Sequence, residues 1–597
     1  MTDNSMDQAL KDWIDFDPNP KTRSEIQRLA ENKAPDLSQR LTTRLQFGTA
    51  GLRGPMGAGN NHMNDLTVIQ ATQGLCAYLK SCRKENKEGI PRKVAIGYDH
   101  RSLVKLGLSS KRFAHFAACV CIEAGFEAHL MRGFTATPLI PFLVKHYKMD
   151  AGIVVTASHN PKEDNGFKVY WSSGSQIVPP HDKNIAKAIS ENLKPWKKYT
   201  PEEVESHAAC IDPTEQATGL YFKSIKKQLC RYPDENKASK LKIVYTAMHG
   251  VGYSFTSRSF KEFNLPAFYS VKKQQEPDPS FPTVTFPNPE EDGALDLALE
   301  TASQVGATLV LANDPDADRL AAAEYEGNQK NSWKMFSGNE IGILLADWQW
   351  TQFKKANPSK KDFSDIYMLN STVSSKMLRA YAAAEGFQYL DTLTGFKWMG
   401  NTAFDLAKEG KKVIFMFEEA IGYCVGDVVY DKDGVSAAAV FAEMATYLER
   451  EKKMTVAQHL DSLYQRLGYF LSHNYYVRSN DVKVMSKIFE RLRNNGKYWF
   501  RCGPYTIKAI RDLKTGYDSS TKDQKAKLPV SNVLTYEFTN GCVITLRPSG
   551  TEPKLKYYIE LAGKSVESTQ KELNDMVRVL VMELLQPEEN GLSYKLP

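Results

Sequence analysis

No stretch of this sequence approaches the roughly 20 consecutive apolar residues that a membrane helix needs, so no membrane association is expected. The opening, MTDNSMDQALKDWIDFD, is polar and acidic where a secretory leader would be basic and then apolar. The expectation is a cytoplasmic protein without a signal peptide. Nine cysteines run from Cys76 to Cys542, with no C-x-x-C and with Cys119 and Cys121 as the closest pair. That spacing argues against zinc or a disulfide frame and for neutral thiols in a reducing compartment. No polybasic run occurs, and the formal charge is only +7 over 597 residues. A balance so mild argues against a nucleic-acid platform and suits a site for anionic small molecules. No short repeat period is present, which argues against a solenoid.

The composition, 42% hydrophobic and 25% charged, is that of a globular chain with room for several domains. Residues 1–40 lean to helix, with Leu29 and Leu37 spaced for a modest apolar face. Beyond them one pattern recurs: a short run of Val, Ile and Ala ends in a polar loop. Examples are AGIVVTASHNP (151–161), LKIVYTAMHG (241–250), ATLVLANDPDADR (307–319) and KKVIFMFEEAIG (411–422). Such runs read as buried strands of parallel sheets, separated by helix-like segments such as 106–124 and 435–450. The alternation predicts α/β layers, and open α/β sheets keep their chemistry at the strand ends, where these loops lie. Pro- and charge-rich stretches at 195–215 and 272–293 read as linkers. The segment 511–529 reads as a long polar loop in a last domain that ends strand–loop–strand, CVITLRPSGTEPKLKYYIEL.

Three loops could carry chemistry. In TASHNP, Ser158 follows a buried strand and Pro161 ends regular structure. A serine needs a base or a metal-held partner to act as a nucleophile; His159 is adjacent and Lys168 follows in NGFKVYW. A Ser-His pair alone is more often an ordinary surface loop, and the G-x-S-x-G elbow of α/β-hydrolases is missing. In DPDADR, Asp314, Asp316 and Asp318 alternate; in an extended chain alternate side chains share a face and could converge on one ion. Three acids so close repel unless a cation neutralises them, and hard oxygen ligands suit magnesium. A calcium EF-hand is excluded by Arg319 at the sixth loop position and Tyr325 at the twelfth. In RPSGTEPK, Arg547 offers a fork of donors for phosphate, with Ser549, Thr551 and the backbone around Gly550 to wrap it. Gly563-Lys564-Ser565 is no P-loop, because Tyr558 stands where Gly is required. Two more loops have sugar-binding character: LTGFKWMG (393–400), with Thr394 and Lys397, and FEEAIGY (417–423), with Glu418 and Glu419. Either is equally an ordinary exposed loop. FGTAGLRG (47–54) is a glycine-rich turn holding Arg53.

Taken in order, these loops resemble the α-D-phosphohexomutase superfamily: T-A-S-H-N-P, D-x-D-x-D-R, an E-E loop and R-x-S-G-T-E-P, from about residue 40 to 585. The wording FGTAGLR, LANDPDADR, LTGFKWMG and FEEAIGY is most similar to the eukaryotic phosphoglucomutase type two group. That group includes phosphopentomutase activity and a sister glucose-1,6-bisphosphate synthase. The resemblance implies an α/β, four-domain, heart-shaped architecture, with three related mixed α/β domains and a smaller C-terminal α+β domain around a central cleft. The boundaries expected are 1–212 with the phosphoserine loop, 213–333 with the metal loop, 334–466 with the sugar loop and 467–597 with the phosphate loop. It implies an intramolecular phosphotransferase of the isomerase class that interconverts sugar 1-phosphates and 5- or 6-phosphates, of ribose, deoxyribose or glucose. It makes Ser158 the phosphoserine, holding magnesium with Asp314, Asp316 and Asp318. It assigns Arg53, Arg319 and Lys432 to reacting or substrate phosphate, Thr394 and Glu418 to sugar, and Arg547, Ser549 and Thr551 to the phosphate that stays. His159, Lys168 and Lys397 are the acid–base candidates. Glucose 1,6-bisphosphate, or ribose 1,5-bisphosphate, would be the activating intermediate. Partners would be small phosphosugars, with no nucleic acid, membrane or obligate protein partner.

One departure stands out. Many glucose-specific members have E-E-S in the sugar loop, where this chain has Ala420. The missing hydroxyl points to pentose phosphates or relaxed choice. The alternative function is a bisphosphate synthase that takes phosphate from 1,3-bisphosphoglycerate with the same serine. A haloacid-dehalogenase-like phosphatase with Asp314 as nucleophile would leave Ser158 and the Arg547 loop unexplained.

Overall fold

A computed structural model describes residues 3–48, 51–82, 92–327, 332–479, 481–549 and 554–597. The chain divides into two compact units, 1–369 with 395–456, and 370–394 with 457–597.

The first unit begins with three helices, Asp3–Phe16, Pro20–Glu31 and Leu37–Thr42. Asn19 starts the second by accepting from the Lys21 N–H at 2.9 Å, with proline at the first helical position. Their core is Trp13, Ile26, Leu37 and Leu41 against Ala58 and Leu66; Leu29 lies only at its margin. A six-stranded sheet follows, in the spatial order Gly51–Pro55, Asp164–Trp171, Ala151–Val155, Arg92–Tyr98, Phe126–Leu130, Cys210–Ile211. Its last four strands are parallel and its first two antiparallel, so the sheet is mixed. Helices such as Asp65–Cys82 and Ser110–Glu123 cover it with Val68, Leu75, Phe113 and Ala117. The stretch 195–215 is therefore not a free linker. Cys210–Ile211 closes the sheet edge, two residues being too short a strand for hydrophobic alternation to reveal.

A second sheet has the order Tyr269–Ser270, Ile243–Thr246, Leu309–Ala312, Ala321–Tyr325, Trp333–Phe336, parallel over the first three strands and antiparallel beyond. In the same unit Lys412–Glu418 and Gly422–Val425 form an antiparallel hairpin, followed by the buried helix Gly434–Tyr447.

The second unit is built on a seven-stranded antiparallel sheet. Its long strands are Tyr469–Arg478, Lys554–Gly563, Val543–Pro548, Leu534–Phe538 and Tyr505–Asp512. Lys554–Gly563 alternates buried with half-exposed residues over most of its length, as a sheet with one solvated face requires. Helices Val482–Arg493 and Val566–Val579 cover the other face with Ile488, Leu492, Leu573 and Val577. Of the stretch 511–529, expected to be a polar loop, Arg511 and Asp512 end the strand Tyr505–Asp512 and the rest is loop apart from the short strand Tyr517–Asp518. Among the described residues no helix is long and apolar enough to cross a membrane.

Candidate active site

Ser158 lies three residues beyond the strand Ala151–Val155, is buried, and sits at φ 51°. Left-handed backbone at a serine is strained and must be held by its surroundings. Part of the hold is local: the Ser158 N–H donates to the Thr156 hydroxyl at 2.9 Å. Its Oγ donates to Asp314 Oδ2 at 2.6 Å and lies 3.2 Å from His159 Nδ1. Burial first, then Arg319 and Arg53, holds the His159 imidazole well below its ordinary value. This favours the uncharged ring. Arg53, on a strand opposite Gly166, donates to Asn160 Oδ1 of the same loop at 3.1 Å.

The acidic loop corrects one expectation. Residues 314–318 are not extended; they form a turn, with Ala317 at φ 57° and its N–H donating to the Asp314 carbonyl at 2.9 Å. An extended chain would separate positions 314 and 318 by about 13 Å, too far for one ion. The turn instead brings carboxylate oxygens of all three acids within 4.8 Å of one another. Gly250 makes room for it: a β-carbon there would stand 2.3 Å from Pro315 Cα. All three carboxylates are buried. Burial, then Asp316 and Asp318, pushes Asp314 well up. Burial opposes charge on Asp316 too, but Lys168 together with the hydrogen bonds from Asp314 and Thr137 outweighs it and carries that group well below the usual carboxylate range.

Two ammonium groups close on the triad. Lys168 Nζ is 2.7 Å from Asp316 Oδ2 and 3.1 Å from Asp318 Oδ2, and Lys432 Nζ is 3.3 Å from Asp318 Oδ2. Both are raised above the ordinary lysine value although burial works against them. Asp316 Oδ1 and Asp318 Oδ1 nevertheless stay buried without a hydrogen-bond partner. Orphaned carboxylate oxygens in an all-oxygen cluster are what a hard divalent cation fits.

Arg319 follows the turn, its N–H donating to Asp314 Oδ1 at 2.9 Å and its guanidinium 3.8 Å from Glu290. It forms a β-bridge with Gly422, and the Leu320 N–H donates to the Ile421 carbonyl at 3.0 Å. These contacts stitch the sugar loop to the acidic loop. Ile421 takes φ 52°, and Gly422 leaves space for the Lys432 stem, which a β-carbon would meet at 2.5 Å. Burial pushes Glu418, at the end of that hairpin strand, up to about 7 against the pull of Lys432.

Models of the four phosphoglucomutase/phosphomannomutase domains match in order: the alpha/beta/alpha domains I, II and III over residues 44–195, 220–327 and 337–467, and the C-terminal domain over 504–578. The chain belongs to the phosphoglucomutase/phosphomannomutase family. It is 46% identical over 606 residues to a phosphopentomutase of Homo sapiens, covering 99% of this chain and 98% of that protein. It is 43% identical over 606 residues to a glucose 1,6-bisphosphate synthase of Homo sapiens, covering 99% and 96%. The crystal structure of the phosphoglucomutase parafusin from Paramecium, in its open form, shares the fold at a TM-score of 0.65 and 18% identity, over 92% of this chain and 96% of that one. The four-domain mixed α/β architecture expected from the sequence is thus the architecture of this family.

Ten of the residues singled out in the phosphoglucomutase/phosphomannomutase motifs meet in the first unit: Arg53, Ser158, His159, Lys168, Asp314, Asp316, Asp318, Arg319, Glu418 and Lys432. Lys397 belongs to the same unit, at the start of helix Phe396–Lys408, with its ammonium 5.1 Å from the Trp398 ring. Burial lowers it to about 8, partly offset by Asp182. Thr394, Arg547 and Ser549 belong to the second unit and are half-buried. Arg547 pairs in register with Lys556, and the Ser549 N–H donates to the Lys554 carbonyl at 2.7 Å. Thr551 lies outside the described residues.

Two participants escape sequence reasoning. Thr137 donates its hydroxyl to Asp316 Oδ2 at 2.6 Å and its N–H to the Asp316 carbonyl at 2.9 Å. Arg101 reaches the serine loop from the strand-end turn after Tyr98. A threonine or an arginine in a short loop carries no pattern that points to a residue 179 or 57 positions away.

Proposed function

We propose that this protein is a phosphosugar mutase, an intramolecular phosphotransferase that interconverts sugar 1-phosphates with the 5-phosphates of pentoses and the 6-phosphates of hexoses. The observation that carries this reading is Ser158 Oγ, strained and buried, 2.6 Å from an acid of a triad ringed by Lys168, Lys432 and Arg319. Phosphorylated Ser158 gives its phosphoryl group to the free hydroxyl of a sugar monophosphate: the Oγ–P bond breaks, and a P–O bond to the sugar forms. The resulting bisphosphate turns around and returns its other phosphoryl group to Ser158. Asp314, Asp316, Asp318 and a phosphoryl oxygen on Ser158 would hold magnesium, which when bound offsets charge on the group in transfer. Neutral His159 beside Oγ suits proton exchange at the serine oxygen. Glu418 accepts from sugar hydroxyls, and Arg319, Lys432 and Arg53 meet phosphate. Arg547 and Ser549, with Thr551, are assigned the phosphate that stays on the sugar. The nine free cysteines suit a cytoplasmic setting, and the chemistry calls on small phosphosugars alone.

The test is turnover of ribose 1-phosphate and glucose 1-phosphate side by side, with catalytic bisphosphate supplied. No conversion of either would overturn the reading. Release of glucose 1,6-bisphosphate only when 1,3-bisphosphoglycerate is added would establish a synthase instead.

Two further results are expected. Lys397 carries its charge below about pH 8 and loses it above. If its ammonium serves as the acid, kcat/KM falls as pH rises through about 8, and Lys397→Arg, whose guanidinium stays charged but cannot release the proton, loses that limb together with most of kcat. An unmoved limb removes Lys397 from the mechanism. Ala420→Ser, restoring a hydroxyl beside Glu419, should raise the hexose-to-pentose ratio of kcat/KM by about tenfold, the scale of one added hydrogen bond. An unchanged ratio removes this position from specificity.

A further inference from the structure

Arg101 is almost wholly buried, and none of the assignments above uses its side chain. Its guanidinium is spent on one loop. Nη2 donates to the carbonyls of Ser158 at 2.6 Å and Asn160 at 2.7 Å. Nη1 donates to those of Pro161 at 2.6 Å and Asp164 at 3.0 Å. Four carbonyl oxygens converging on one point repel one another unless a cation sits among them. The charge is balanced by Asp99, whose Oδ2 lies 3.4 Å from Arg101 Nε. Asp99 is itself fixed, its Oδ1 accepting the Arg101 N–H at 3.0 Å and the Ser110 hydroxyl at 2.5 Å.

A second contact comes from the stretch 272–293, which the sequence presents as a linker. Phe281, buried and at φ 47°, lays its ring 5.3 Å from the guanidinium carbon. The same stretch supplies Glu290 to Arg319. It is a strut between the serine loop and the acidic loop. Its proline and charge content hid this, because its contacts are scattered singly along the stretch, Gln274 with Thr246 and Thr283 with His249 among them.

We infer that Arg101 is a positioning residue for the phosphoryl-carrying serine: its fork ties down the carbonyls on both sides of the turn and holds Ser158 in the left-handed conformation that aims Oγ at Asp314. A flat five-donor guanidinium can serve four acceptors at once, whereas an ammonium has three donors and no fork. This deepens the mutase reading and rests on it.

The experiment compares the native full-length chain with Arg101→Lys and Asp99→Asn. It measures thermal unfolding, kcat and KM with a sugar 1-phosphate, and the rate at which glucose 1,6-bisphosphate phosphorylates Ser158, read by mass spectrometry. Folded Arg101→Lys should lose about 10²-fold in kcat and in the phosphorylation rate, the cost of a misplaced reacting group, with KM within about threefold of native. A residue that merely stabilises the fold would lower the melting temperature and leave kcat per folded molecule intact, and that result overturns the inference. If Arg101→Lys does not fold, Asp99→Asn decides. It keeps shape and loses the balancing charge; a selective fall in kcat supports the inference and an unchanged kcat overturns it. A native chain that never phosphorylates at Ser158 sinks the mutase reading and this inference with it. A native chain that does, beside an equally fast Arg101→Lys, sinks the positioning role alone.

Discussion

Ser158→Ala is expected to lower mutase turnover by about 10⁵-fold or more, the scale on which loss of a covalent nucleophile acts. The chain should stay folded. Alanine removes one hydrogen bond, Oγ to Asp314, worth about 1 kcal/mol. The partner left behind, Asp314, keeps the Arg319 N–H on its other carboxylate oxygen at 2.9 Å. The backbone contacts of the loop, to Thr156 and Arg101, do not involve Oγ. The measurements are steady-state turnover with bisphosphate supplied, a melting curve, and the mass of the intact protein after exposure to bisphosphate. Native protein should gain one phosphoryl group and the variant none. Turnover retained in a folded variant would mean that phosphate passes through some other group.

Chelation should silence the native enzyme just as fully, and added magnesium should restore it. Asp318→Asn should cost about 10³-fold in kcat: loss of several kcal/mol of charge stabilisation at roughly 1.36 kcal/mol per decade. Asparagine keeps the size of the side chain but leaves Lys168 and Lys432 facing one fewer carboxylate. The apparent magnesium requirement should therefore rise, which a damaged fold would not mimic. Turnover insensitive to chelator would remove the metal from the reaction and leave the orphaned oxygens of Asp316 and Asp318 to another explanation.

What was legible before the fold was known follows from how locally each feature is encoded. The runs around Ile153, Val244, Leu309 and Ile414 are buried strands because a strand enclosed on both faces needs unbroken apolar sequence. The loops that follow them were recognisable by residue type, since nucleophile, acids and arginine each sit in a contiguous motif. The acids were expected to converge, and they do, but through a turn at Ala317 rather than along an extended chain. Alternation in the sequence is compatible with both, and only the backbone decides. Cys210–Ile211 and Phe281 were misread for the opposite reason: a two-residue strand and a lone aromatic packed on Arg101, His100 and His249 leave no periodic signal in a stretch of mixed composition.

The sequence by itself determined the chemistry of this protein, because the identities of Ser158, the three aspartates and Arg319 are properties of short segments. Tertiary structure alone decided which groups meet. Lys168 and Lys432 on the triad, Thr137 on Asp316 and Arg101 beneath the serine loop join positions from 57 to 179 apart along the chain. Such meetings depend on how strands order within sheets and how loops pack against one another. These are sums of many weak contacts, and no single segment encodes them.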